Sequence, residues 1–328
     1  MQIIANTRQF QLARPSAAVI GKFDGVHRGH RSLLREILKE KENGLLAAVF
    51  TFDPAPEAFF RGEPVPQLTT RQEKRKILAD LGVDVLIEYP FDHDSAAMPP
   101  EVFVREILSE RMQARVIAAG PDLSFGDRGA GNFALLHALS RECGFETRLI
   151  RKDRYGDHDI SSTLIRSYVE AGRMEDAAAC LGSPYFFYGT VAHGNAKGRT
   201  IGFPTLNLYP DKEKILPPFG VYYSDVTVFE PDGTKHSYRG MTDVGRKPTV
   251  QPDSKRVSVE TFVYDFDGDL YGKTIRVELL TFERPEQKFA SFDALKQRIL
   301  QDVEAGRVYF QKQDNSSELE PGEPNADT

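Results

Sequence analysis

Through the first half of the chain, short apolar runs alternate with amphipathic stretches. The runs at 17–22 (AAVIGK), 45–52 (LLAAVFTF), 84–89 (DVLIEY), 115–120 (RVIAAG) and 146–150 (ETRLI) read as strands. The segments near 29–42, 70–81, 100–113 and 132–143 read as helices. Apolar strands interleaved with helices predict an α/β unit, a parallel sheet covered on both faces. Ligands of such sheets bind at the carboxyl ends of strands, which singles out the loop after 17–22.

From about residue 184 the texture changes. Segments 186–193, 220–229, 257–265 and 274–282 are rich in Tyr, Phe, Val and Thr, and Pro231-Asp232-Gly233 and Asp267-Gly268 supply turns between strands. This predicts an antiparallel β module, a small closed barrel, followed by a helix at about 291–306. Residues 162–182 read as two short helices joining the halves. The stretch from 313 onward carries five acidic residues and no basic ones and reads as disordered. The expected organisation is therefore 1–160, a helical connection at 161–183, a β domain at 184–310 and a tail at 311–328.

Composition narrows the class. The length of 328 residues favours two domains, and 40% hydrophobic with 27% charged residues is ordinary for a globular chain. A formal net charge of −6 speaks against a nucleic-acid partner. Cys143 and Cys180 stand in no metal-ligand spacing and read as small buried hydrophobes, so a reducing compartment is expected. No signal peptide and no membrane-spanning run of about 20 apolar residues is evident. The expected location is the cytoplasm, with no membrane partner. Weak or transient self-association is left open.

Two constellations carry chemistry in the first half. Residues 21–30 read GKFDGVHRGH, in which Gly21 and Gly25 let the backbone turn sharply and His27 and His30 share one face of a first helical turn. A helix start favours an anion, and two imidazoles there can donate to a phosphate. Two surface histidines on a turn, or a metal pair completed by Asp24, are the alternatives. Residues 160–166 read ISSTLIR, where Ser161, Ser162 and Thr163 can cap a helix and donate to phosphate oxygens. Arg166, one turn beyond Ser162, offers a planar fork to a pyrophosphate.

In the second half, 194–208 read GNAKGRTIGFPTLNL. Gly194, Gly198 and Gly202 with Lys197 and Arg199 can wrap phosphates, although a basic glycine-rich hairpin without a ligand is about as common. Thr205 and Asn207 alternate along an extended segment, so their hard oxygens can face one side and suit Mg²⁺. Glu260 is a single carboxylate on a strand otherwise rich in Val and Phe; an outward-facing strand residue is its plain alternative.

GKFDGVHRGH and ISSTLIR resemble the paired signatures of the HxGH nucleotidyltransferases. FTFDPAPEAFF (50–60), LTTRQEK (68–74) and GPDLSFG (120–126) narrow this to the FMN-adenylyltransferase module of bacterial FAD synthetases. GRTIGFPTLNL, PPFGVYY (217–223), VGRKPT (244–249), VETF, DLYG (269–272) and RPEQKF (284–289) are similar to the riboflavin kinase module. The resemblance covers about nine-tenths of the chain. It implies a Rossmann-like domain followed by a β-barrel, phosphorylation of riboflavin to FMN with ATP, and adenylylation of FMN to FAD with release of pyrophosphate. It further implies that His27 and His30 stabilise the α-phosphate, that Ser161, Ser162, Thr163 and Arg166 hold pyrophosphate, and that Gly21, Phe23 and Asp24 line the nucleotide pocket. Asp122 and Phe125 would sit near the flavin. In the second half it assigns Thr205 and Asn207 to Mg²⁺-ATP, Glu260 to the general base, Gly194, Lys197 and Gly202 to phosphates, and Arg284 to closure on flavin. Ala55 stands where the family usually has His, Leu123 where an aromatic is frequent, Asp243 where a neutral residue is usual and Phe262 where His is frequent. Ala55 and Leu123 motivate the rival expectation that only the kinase half works. A non-catalytic flavin-binding regulator is the remaining alternative.

Overall fold

The computed structural model describes residues 1–193, 202–248 and 255–318. It divides into two units. The first comprises 1–168, 179–183 and 211–215; the second comprises 169–178, 184–210 and everything from 216 onward. The boundary expected near 183 coincides with one of these divisions, but 169–178 belong to the second unit and 211–215 to the first.

The first unit is an all-parallel six-stranded sheet of order β1-β4-β3-β2-β5-β6, with β1 Gln2–Ala5, β2 Ser16–Ile20, β3 Leu46–Asp53, β4 Val85–Pro90, β5 Ala114–Ala119 and β6 Glu146–Leu149. Alternation sorts its side chains into two cores. Ala18, Ile20, Ala48, Phe50, Ile87 and Ile117 face one side, under Phe103, Ile107 and Leu136. Ala17, Val19, Ala47, Val49, Leu86 and Val116 face the other, under Leu34 and Ile37 of helix α1 (Arg28–Lys39) and Leu78 of a later helix. Both faces are therefore covered, as the apolar runs require. The remaining helices are α2 Pro56–Arg61, α3 Arg71–Asp80, α4 His93–Ala96, α5 Pro100–Val102 running into a π-helical stretch Phe103–Arg111, α6 Phe133–Cys143, and α7 Ser162–Glu170. A two-stranded hairpin, β7 Arg154–Tyr155 and β8 His158–Asp159, precedes α7. Strand β1 has no counterpart among the sequence expectations: four partly exposed edge residues carry too little pattern.

The second unit includes the last two residues of α7 and most of helix α8 (Met174–Leu181), and is built on an antiparallel sheet of order β10-β13-β12-β11-β14-β9. Its strands are β9 Tyr185–Thr190, β10 Thr205–Leu208, β11 Gly220–Phe229, β12 Lys235–Pro248, β13 Lys255–Val263 and β14 Thr274–Pro285. The edges meet where the Ala192 N–H donates to the Asn207 carbonyl at 2.9 Å, closing the barrel. The interior holds Tyr222, Val226, Val259, Ile275, Val277 and Leu279 and a hydrogen-bonded row of hydroxyls, Ser224–Thr242–Thr261, at 2.7 and 2.9 Å. Strand β12 escapes the sequence reading because its fourteen residues, KHSYRGMTDVGRKP, lack a period-two apolar pattern; pairing on both edges holds it.

Helix α9 (Phe292–Glu318) covers the outer face through Ile299, Val303 and Phe310, which pack on Val221, Tyr223, Met241 and Tyr264. The helix extends well past the expected end near 306, and 311–318 are helical rather than disordered tail. Tyr309 and Phe310 anchor its later turns, and Asp314 pairs with Arg239 at 2.8 Å, so propagation adds a hydrogen bond per residue at little further cost. The rest of the expected tail, 319–328, lies outside the described residues. No helix among the described residues is long and apolar enough to cross a membrane.

Candidate active sites

In the first unit, the loop after β2 makes three left-handed residues in four, Phe23 (φ 50°), Gly25 (φ 81°) and Val26 (φ 44°). A side chain at Gly25 would meet Leu68 at 2.9 Å and Leu181 at 3.1 Å, so glycine is required for space as well as torsion. The loop delivers His27 to the N-cap of α1, where its Nδ1 accepts from the His30 N–H at 3.4 Å. That contact fixes the tautomer: the proton of a neutral His27 sits on Nε2, the nitrogen left to donate elsewhere. Gly29 leaves only 3.3 Å between its would-be Cβ and the His27 ring, which explains the small residue inside HRGH. The two imidazoles stack, with centroids 3.7 Å apart, and His30 also leans on Phe23. Burial pushes His27 down to about 4, against the opposing pull of Asp24, Asp153 and Asp122. Burial, then His27 and Lys74, hold His30 well below the usual histidine range. His27 is 7% exposed and His30 half-buried, so neither is a fully exposed surface histidine. No metal-holding cluster of three His, Cys, Asp or Glu occurs among the described residues.

Asp24, only 5% exposed, organises the surrounding loops. Its Oδ1 accepts from the Leu68 and Thr69 N–H groups at 2.8 and 3.2 Å, and its Oδ2 takes Arg166 at 2.5 Å. The Ser162 hydroxyl donates to the Asp24 carbonyl at 3.0 Å, and Ser161 accepts from the Leu164 N–H to cap α7. ISSTLIR therefore meets GKFDGVHRGH through Asp24, and Thr163 stays exposed. Two side-chain nitrogens of this cluster, His30 Nδ1 and Arg166 Nε, are buried without a hydrogen-bond partner. Buried polar atoms are normally satisfied; Arg276 Nε and Arg298 Nε, in the second unit, are likewise without a partner.

Other expected residues fall differently. Gly21 lies over the Phe23 ring. Asp122 is exposed and pairs with Lys152 at 3.2 Å. Phe125 is a core residue, 3% exposed, packed on Phe103 and under Gly131. Two residues that the sequence reading did not single out stand out here. Lys74 donates to the Lys22 carbonyl at 2.9 Å and brings a cation toward His30. Phe60 on α2 is 72% exposed, adjoining Phe59 and Phe91 by edge-on contacts, while Glu57 of the same helix lies 3.9 Å from Lys22. The signal was present in the adjacent aromatics of 59–60, since a large exposed apolar side chain beside a site is informative.

In the second unit, strand register builds the site. Asn207 stands opposite Glu260, Glu260 opposite Asp243, Asp243 opposite Val221 and Val221 opposite Arg284, a single row on the outer face. Thr205 is two residues from Asn207 and on its side. Asn207 is 4% exposed, and its amide N–H donates to the Thr205 carbonyl at 3.3 Å, which leaves Oδ1 directed elsewhere. Ser258 donates to Glu260 at 3.4 Å. Phe262 packs edge-on against Phe203 and Tyr264. Arg284 does not reach toward open space: it forks onto Asp302 of α9 at 2.9 and 2.5 Å, and Arg298 joins the same carboxylate. It ties β14 to the helix. Gly202 is exposed with φ 88°. Gly194 and Lys197 lie outside the described residues.

A family model described as FAD synthetase matches residues 9–164, and one described as riboflavin kinase matches 181–310. The chain belongs to the bifunctional riboflavin kinase/FMN adenylyltransferase family. Relatives of that name from Escherichia coli K12 and Haemophilus influenzae are 36% and 35% identical, covering 89% and 90% of this chain and 91% and 94% of theirs. The Bacillus subtilis relative is 33% identical over 90% of this chain and 92% of its own. A crystal structure titled as a macrolide-efflux protein from Streptococcus pneumoniae superposes with a TM-score of 0.79 at 31% identity, over 93% of this chain and 98% of that one. The α/β unit followed by an antiparallel barrel and a terminal helix is the architecture that the motifs implied.

Proposed function

We propose that this chain phosphorylates riboflavin to FMN in its second unit and adenylylates FMN to FAD in its first. The observation that carries the adenylyltransferase reading is the meeting of ISSTLIR and the GKFDGVHRGH loop at Asp24, where Arg166 pairs with the carboxylate and Ser162 with the backbone carbonyl. The nucleophile there is the phosphate of FMN, already an anion, so no general base is needed. The site must align that phosphate with the α-phosphorus of ATP and stabilise developing charge. His27 Nε2–H and the stacked His30 lie at the start of α1 to meet the α-phosphate. Arg166, with the hydroxyls of Ser161, Thr163 and, once turned from the Asp24 carbonyl, Ser162, holds the departing pyrophosphate, and Gly21, Phe23 and Asp24 shape the pocket. Asp24 acts by holding Arg166 and the 68–69 backbone in place. Phe60, exposed on α2, offers an aromatic face to the flavin ring.

In the kinase unit the nucleophile is a neutral hydroxyl at the end of the ribityl chain, which must lose its proton as the γ-phosphoryl arrives. Glu260 takes that proton. Thr205 and Asn207 supply hard oxygens beside it, a donor set that suits Mg²⁺ held together with ATP. The ion, when bound, neutralises charge on the β- and γ-phosphates. Gly194, Lys197 and Gly202 belong to the segment that would cover those phosphates.

Incubation of the protein with riboflavin, ATP and Mg²⁺, followed by chromatography, tests the whole reading. FMN followed by FAD is expected. FMN alone, with excess ATP, would assign the working chemistry to the second unit only, and flavin binding without either product would make the chain a regulator.

A further inference from the structure

We infer that Lys214 is a positioning residue for the adenylyltransferase site, although the sequence around it belongs to the stretch matched as riboflavin kinase. Residues 211–215 leave the second unit and form part of the first. Their backbone lies alongside Gln67, whose N–H donates to the Glu213 carbonyl at 2.6 Å and whose carbonyl accepts from the Ile215 N–H at 2.9 Å. The Lys214 side chain is 1% exposed. Its ammonium donates to Glu73, itself 2% exposed, at 2.6 Å and to the Leu68 carbonyl at 2.8 Å.

Each of those partners leads toward the site. Glu73 closes the capping box that starts α3, accepting from the Thr70 N–H at 2.8 Å while Thr70 accepts from the Glu73 N–H. The Leu68 carbonyl belongs to the same two residues, Leu68 and Thr69, whose N–H groups hold Asp24, and Asp24 holds Arg166. The Thr69 hydroxyl accepts from Gly25, the residue that turns the loop toward His27. A buried lysine at this point thus fixes 68–70, and 68–70 fix the aspartate and the arginine. A buried ion pair is weak evidence of stabilisation for its own sake, since an apolar pair of equal volume often serves as well. Here the ammonium also bonds a backbone carbonyl of the loop that carries the site, which an apolar replacement cannot do. Ordinary surface lysines carry no such constraint, which is why Lys214 is invisible as a site residue in DKEKIL.

The inference rests on the adenylyltransferase reading, and the full-length protein tests the two separately. FAD formation from supplied FMN and ATP by the unaltered chain tests the reading; its absence there would remove the basis for any positioning role. Given that activity, Lys214→Met should raise KM for ATP in FAD formation at least tenfold while riboflavin phosphorylation by the same preparation stays within twofold. Lys214→Met combined with Glu73→Gln removes the uncompensated buried charge and should return the thermal midpoint toward that of the parent chain, with KM for ATP still raised. Unchanged KM in Lys214→Met would overturn the inference. So would a double variant whose KM returns to the parent value along with its stability, because Lys214 would then serve the fold alone.

Discussion

Asn207 and Glu260 face each other directly across β10 and β13, one contributing a buried amide and the other a carboxylate to the same outer row of the barrel. Opposed residues on one sheet face have Cβ atoms about 5 Å apart. That separation lets a phosphoryl-bearing ligand held by the amide present its γ-phosphorus near the carboxylate. Replacing the amide should therefore act through ATP and its metal rather than through the base. For Asn207→Ala, the Mg²⁺ concentration giving half-maximal FMN formation should rise about tenfold, the effect of losing roughly 1.4 kcal/mol of binding. Titration of FMN formation with MgCl₂ reads this directly.

The two stacked histidines give the first unit an acid-sensitive core. An unfolded histidine protonates near 6.5, but His27 in the fold does so only at about 4. Between those values the unfolded chain binds more protons, so stability falls as pH falls through that window and is fully present above it. His27 accounts for about 3 kcal/mol at most, and His30 acts in the same direction. Denaturant melts of the first unit between pH 7 and 4 should show this loss, and His27→Gln should flatten it. By the same argument kcat/KM for ATP in FAD formation carries no histidine inflection between about pH 6 and 8 in the free enzyme.

Arg166 pairs with Asp24 and leaves its buried Nε without a partner; in the proposed reading its guanidinium meets pyrophosphate. Arg166→Lys keeps the charge but loses the fork. Both Arg166→Ala and Arg166→Lys should lower FAD formation about a hundredfold, on the order of 3 kcal/mol of transition-state stabilisation. Pyrophosphate release from FMN and ATP is the readout. Near-parental rates in the lysine variant would mean that charge alone suffices.

Phe60 makes the flavin side of the first site testable. Its ring is largely exposed, so Phe60→Ala removes no core packing and should leave the melting temperature within about a degree, as surface changes do. If the ring stacks on flavin, KM for FMN rises roughly tenfold and KM for ATP does not.

Much of this architecture was legible because apolar runs buried on both faces leave few alternatives: β2 to β6 lie within a residue or two of their expected bounds. The terminal segment was misread for the opposite reason. Residues 311–318 have the composition of a tail, and the packing of Tyr309 and Phe310 just before them, with the Asp314–Arg239 pair, holds them helical. Site residues divide along similar lines. Motif spacing located His27, Ser162 and Arg166, whose neighbours the fold then brought together. It could not see that Phe125 is needed for the core, that Arg284 is taken by Asp302, or that Lys214 crosses into the first unit, since each depends on long-range burial.

The most direct test of two separate sites on one chain is a crossed product assay on folded His30→Ala and Glu260→Ala proteins. Supplied with riboflavin and ATP, His30→Ala should accumulate FMN and make no FAD. Supplied with FMN and ATP, Glu260→Ala should make FAD at the parental rate, while its phosphorylation of riboflavin falls by about a hundredfold or more. If either substitution abolishes both products in a protein that still melts cooperatively, the division of chemistry between the units is wrong.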